Sequence, residues 1–107
     1  MKTVTIDTKQ RNQMIDITSI VEASVRESGI KNGVCYVFVP HTTAAMTINE
    51  NADEDVVRDI LSTLSKIIPY KDDYRHMEGN SDAHIKASLM GNTLAVIVDE
   101  GRLILGT

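Results

Sequence analysis

The sequence predicts an α+β fold: a compact single domain with sandwich-like, mainly antiparallel sheets and two to three helices. Three observations lead there. Residues 34–39 form an unbroken apolar, β-branched and aromatic run, the mark of a strand covered on both faces. Residues 56–68 carry apolar side chains at helical spacing. The order of elements along the chain is strand, helix, strand, helix, helix and hairpin, which suits neither a doubly wound parallel sheet nor a pure sandwich.

Taken in order, residues 2–8 alternate, with Val4 and Ile6 on one side and Thr3, Thr5 and Asp7 on the other, which predicts a half-buried strand. Residues 14–16 extend a second short strand. Thr18 or Ser19 then opens a helix, with Glu22 at capping-box spacing from Ser19; Ile17, Ile20, Val21 and Val25 share a face, and Gly29 closes it. After the central strand comes Pro40, and residues 45–49 add a short strand. Asn51 and Glu54 form a second capping-box pair ahead of the clearest amphipathic helix, built on Val56, Val57, Ile60, Leu61, Leu64, Ile67 and Ile68 and stopped by Pro69. Residues 69–80 read as a long polar loop. Asn80 or Ser81 caps a short helix over 81–90 that ends at Gly91 and places His84, Ile85, Ser88 and Leu89 on one side. Residues 93–98 and 102–105 form a hairpin turning at Asp99, Glu100 and Gly101.

Bulk composition excludes several classes of function. The 107 residues make one domain, small enough that self-association is a natural way to bury more surface. The net charge is −4 and the basic residues are scattered, so no stripe exists to neutralise a nucleic-acid backbone. No apolar run approaches the roughly 18 residues a membrane span needs, and residues 1–8 lack an apolar signal core. The lone Cys35 falls in a strand as a small core residue. A cytoplasmic protein that binds neither nucleic acid nor membrane is expected.

Chemistry concentrates in residues 40–55, a polar connection between two apolar elements, and all three histidines fall in or beside polar segments. His41, His76 and His84, if they converge, make an open catalytic-type site for a divalent metal ion, zinc or magnesium, with a position left for water or substrate. Glu50 and Asn49 lie before the second helix and are placed to bind an ion or a substrate, as is Asn51, whereas Asp53, Glu54 and Asp55 are explained by helix capping. Thr42, Thr43, Asn80, Ser81 and Lys86 suit a phosphate, helped by the unpaired N–H groups at a helix start. No P-loop, dinucleotide-binding, nucleophile-elbow or CxxC motif occurs.

The runs HTTAAMTINENAD at 41–53, YRHMEGN at 74–80, DAHIKASLMG at 82–91 and GRLILGT at 101–107 together resemble the YjbQ-like family, described as secondary thiamine-phosphate synthases. The resemblance spans nearly the whole chain. It implies a sandwich-like α+β domain that assembles as a homotrimer, with metal in a polar pocket around the matching histidines. It further implies a weak or secondary transferase activity that joins a pyrimidine pyrophosphate to a thiazole phosphate, with His41, His84 and Glu50 as catalytic groups and a small phosphorylated molecule as ligand. Two other readings remain open: a trimeric metal- or anion-binding module without a dedicated catalytic role, and a metal-dependent hydrolase. Family members continue past the final glycine and threonine, so the C-terminal strands of a single domain over 1–107 are expected to be missing.

Overall fold

A computed structural model describes residues 1–107. Three α-helices and three β-strands follow one another as α1 (Thr18–Ser28), β1 (Gly33–Phe38), α2 (Glu54–Ile67), α3 (Ser81–Met90), β2 (Thr93–Asp99) and β3 (Arg102–Leu103). The α+β class holds. The strands form one sheet in the order β1-β2-β3. β2 pairs antiparallel with β3 through Val98 with Leu103 and Asp99 with Arg102. At one end of β1 the Val39 N–H donates to Asn92 O at 3.0 Å, and before its other end Lys31 O accepts from Gly101 N–H at 2.8 Å, so β1 also runs antiparallel to β2. No helix is long and apolar enough to cross a membrane.

The chain divides into two compact units. The first, Met1–Cys35 with Val96–Thr107, buries Val25 of α1 and Val96 and Val98 of β2, and α1 packs against β3. Full burial of each valine stabilises by about 1.5 kcal/mol or more. Gly29 at φ 72 ends α1, its N–H donating to Arg26 O. Glu100 and Gly101 both take positive φ, 50 and 78, the pattern of the two-residue turn whose twist matches antiparallel strands. Lys2 and Glu27 form an exposed ion pair whose hydrogen bond lowers the Glu27 pKa.

The second unit, Tyr36–Ala95, holds α2 and α3 and buries Ile68. Asp53 caps α2 by accepting from Asp55 N–H at 2.9 Å, and Glu54, Asp55 and Lys66 complement the helix dipole at its two ends. Ile68, forced out of helical geometry by Pro69, sits at φ −129 and ψ 79.

Several local expectations fail, for identifiable reasons. Residues 2–8 form no strand: their alternation has no partner ladder in this chain, and every one of them is exposed. The short strands expected at 14–16 and 45–49 are likewise absent, and β3 stops at Leu103 rather than 105. The Ser19–Glu22 capping box yields to Asp16, whose Oδ1 accepts from Thr18 N–H at 2.9 Å. The Asn51–Glu54 box yields to Asp53, because a side chain two residues before the recipient N–H closes the cap by itself.

Candidate functional site: two clefts on one histidine

Within Tyr36–Ala95, backbone hydrogen bonds bring the polar loop after β1 against the end of α3. Val39 N–H donates to Asn92 O, and Met46 N–H donates to Gly91 O, both at 3.0 Å. The intervening segment is tightly turned: His41 N–H donates to Val39 O at 2.9 Å, a three-residue turn. The Thr43 N–H then donates to His41 Nδ1 at 3.2 Å, with Thr43 Oγ1 3.1 Å from the same nitrogen. A backbone N–H cannot act as acceptor, so His41 Nδ1 is held as the acceptor and the ring proton sits on Nε2. His41 therefore presents an N–H donor outward, and Thr43 serves by orienting it.

Two open clefts result. One, of about 490 Å³, is lined by Asp73, Tyr74, Arg75, His76, Ser81, His84 and Ile85. The other, of about 430 Å³, is lined by His41, Thr42, Ala44, His84, Ala87, Ser88, Gly91 and Asn92. His84 belongs to both. The rings of His76 and His84 stand edge to face, with centroids 5.3 Å apart and planes at 86°. His76 Nε2 lies 4.0 Å from Glu78 Oε2, at the outer limit of an ion pair. No group of three or more His, Cys, Asp or Glu side chains stands close enough to hold a metal, so the three imidazoles do not meet at one point.

Beneath the first cleft, Asp82 is buried to 1% exposure and its Oδ2 lies 3.3 Å from Lys86 Nζ, one helical turn on. Lys86 is thus engaged in an internal ion pair. Tyr74 donates its hydroxyl to Pro69 O at 2.6 Å; burial, then Asp72 and Asp82, raises its pKa. Asn80 occupies the N-cap position of α3 but makes no side-chain cap, and its buried Oδ1 lacks a partner. Asn49, Glu50 and Asn51 are exposed and line neither cleft, with Asn49 Oδ1 accepting from Glu50 N–H at 2.7 Å.

Sequence reasoning passes over Arg75, Asp73 and Asn92, which carry no local pattern, and Asp82, whose i, i+4 spacing from Lys86 is the one signal that marks it.

Residues 2–107 match the family described as UPF0047 protein YjbQ-like. A Bacillus subtilis relative, UPF0047 protein YugU, is 51% identical over 108 residues, covering 100% of this chain and 82% of its own. A UPF0047 protein of Methanocaldococcus jannaschii is 47% identical over 102 residues, covering 95% of this chain and 74% of the relative. Among solved structures, a yjbq/upf0047-family protein from Clostridium acetobutylicum superimposes with a TM-score of 0.93 at 56% identity, covering 95% of this chain and 79% of that one. One from Sulfolobus solfataricus, described as of unknown function, gives 0.90 at 36% identity, covering 95% and 75%. These relatives are named by family or as uncharacterised proteins and none as a synthase, which overturns the thiamine-phosphate synthase reading while leaving the family intact. By sequence and by structure alike, the chain belongs to the UPF0047, YjbQ-like family.

Proposed function

We propose that Tyr36–Ala95 binds a small phosphorylated molecule, its phosphate seated in the cleft of Arg75, His76, Ser81 and His84. The observation that carries this is the convergence of a guanidinium, two imidazoles and a hydroxyl at the first turn of α3, a helix end that no side chain caps. The positive end of the helix dipole favours an anion there, and Arg75 supplies the planar donor pair that suits phosphate oxygens. Asp73 in the same wall offers an acceptor for a protonated oxygen of the ligand. Titration calorimetry with inorganic phosphate tests the reading. Binding is expected, weakened about tenfold by Arg75→Gln. Absence of binding, or binding untouched by both Arg75→Gln and His76→Gln, sinks it.

A second reading is favoured by one measurement. Two imidazoles on a single tetrahedral ion, with metal–nitrogen bonds of about 2.0 Å, place their ring centroids about 5 Å apart, close to the 5.3 Å between His76 and His84. These two rings would supply two of the ligands of a divalent ion, zinc suiting imidazole better than magnesium, with the other positions left to water or the bound ligand. Such an ion would supply charge neutralisation for a bound phosphate. His41, with its outward nitrogen protonated, serves instead as a donor. Equilibrium dialysis against zinc decides this: uptake that survives His76→Gln and His84→Gln excludes the pair as ligands.

We also propose self-association, as a trimer. The chain buries only Val25, Ile68, Val96 and Val98 among its apolar residues. In the first unit Val34, Ile97 and Ile104 stay 52%, 60% and 52% exposed, and in the second Tyr36, Phe38 and Leu89 stay 73%, 59% and 67% exposed. Large apolar side chains left this open in each unit are what contact with further copies of the chain would cover, and gel filtration with multi-angle light scattering tests it, a monomer overturning the reading.

A further inference from the structure

The walls that meet on His84 differ in charge. Asp73, Arg75, His76 and Ser81 stand on one side, by the start of α3, where a guanidinium and a carboxylate both carry formal charge. His41, Thr42, Ser88 and Asn92 stand on the other, with no Lys, Arg, Asp or Glu among the lining residues. This second wall includes Gly91 at the C-terminal end of α3, where the helix carbonyls disfavour an anion. Its polar groups are each half engaged. His41 Nδ1 accepts from Thr43 N–H, leaving Nε2–H as a donor. Ser88 Oγ donates to His84 O at 2.8 Å, leaving its lone pairs as acceptors. Asn92 Oδ1 accepts from Thr93 Oγ1 at 3.0 Å, leaving the amide N–H groups as donors. Donors and an acceptor side by side, without formal charge, match hydroxyl groups, each of which both donates and accepts. A helix advances about 1.5 Å per residue, so Ser81 and Ser88 lie about 10 Å apart along α3, the length of a phosphate joined to a five- or six-carbon body.

We infer that the ligand is a phosphate ester of a polyhydroxylated body, a sugar phosphate in class, with its phosphate beside Arg75 and Ser81, its hydroxyls beside His41, Ser88 and Asn92, and His84 between them. This rests on the phosphate reading above and extends it to the rest of the molecule. The three imidazoles give three reporters in a nitrogen-15 correlation spectrum, each assigned by its Gln variant. The probes are inorganic phosphate, ribose 5-phosphate, glucose 6-phosphate and glycerol 3-phosphate. Inorganic phosphate is expected to move His76 and His84 and to leave His41 in place. At least one ester is expected to move all three and to bind about tenfold tighter than phosphate. His41→Gln, checked for folding by circular dichroism, removes that gain and leaves phosphate affinity unchanged. If phosphate moves His76 but no ester moves His41 or binds tighter, the inference is overturned and the phosphate reading stands. If phosphate moves neither His76 nor His84, both fall together.

Discussion

On α2 the apolar side chains Val56, Val57, Ile60, Leu61 and Leu64 make a continuous stripe, yet none of them is fully buried, and Ile67 stays 65% exposed. On α3 no stripe exists, yet a carboxylate is the most deeply buried side chain of the whole protein, while Leu89 stands 67% open. The first helix follows the ordinary rule, apolar face inward and charges outward. The second inverts it. What the inversion teaches is that α3 buries a charge-paired side, Asp82 with Lys86 one turn on, and leaves another side, with His84, facing the clefts. An arrangement of this kind gives up hydrophobic burial on α3 and presents Ser81 in one cleft, Ser88 in the other and His84 in both.

Removing the polar lock is the most severe way to break the comparison. Asp82→Ala strands a largely buried ammonium and is expected to cost about 3 kcal/mol in urea unfolding, whereas replacing both partners with apolar side chains, Asp82→Leu together with Lys86→Met, should recover much of that loss. If Asp82→Ala unfolds at the same urea concentration as the parent, α3 is not held by this pair. A middle-sized effect separates the two faces: Leu64→Ala on α2 should cost about 2 kcal/mol, and Leu89→Ala on α3 no more than about 0.5 kcal/mol when both are measured on dilute protein. Equal losses would mean that Leu89 is covered, as self-association would bring about. The smallest difference lies at the helix starts. Asp53→Ala removes a working cap and should lower stability by about 1 kcal/mol in thermal unfolding, while Asn80→Ala should cost less, since it deletes an uncapped side chain with an unpaired buried oxygen. A larger loss at Asn80 than at Asp53 would show that the Asn80 amide has a structural partner.

Much of the secondary structure is legible locally. The boundaries of α2 follow from Asp53 and Pro69, the end of α1 from Gly29, and the hairpin from Glu100 and Gly101, whereas the hydrogen bond of Asp16 at the start of α1 is not read from the capping-box spacing. The extent of the second strand of that hairpin and the state of residues 2–8 are less legible, because alternation reports a strand's faces and not whether a neighbour exists to complete its ladder. For the site, histidine placement points to one loop and one helix that the structure does bring together, those of His41 and His84. It does not reveal that His84 divides the set, with His41 in one cleft and His76 in the other, nor that Arg75 joins His76 beside Ser81.

The sequence by itself determined the family, the α+β class, the three helices and the polar character of residues 40–55, since periodicity, caps and turn residues act over a few neighbouring positions. Only the tertiary structure decided that Lys86 is committed to Asp82, that Thr43 fixes the proton of His41, and that two clefts share one imidazole. The shared imidazole depends on distances between groups far apart in the chain, and the other two outcomes on how deeply Asp82 is buried and how residues 41–43 turn, which spacing alone does not encode.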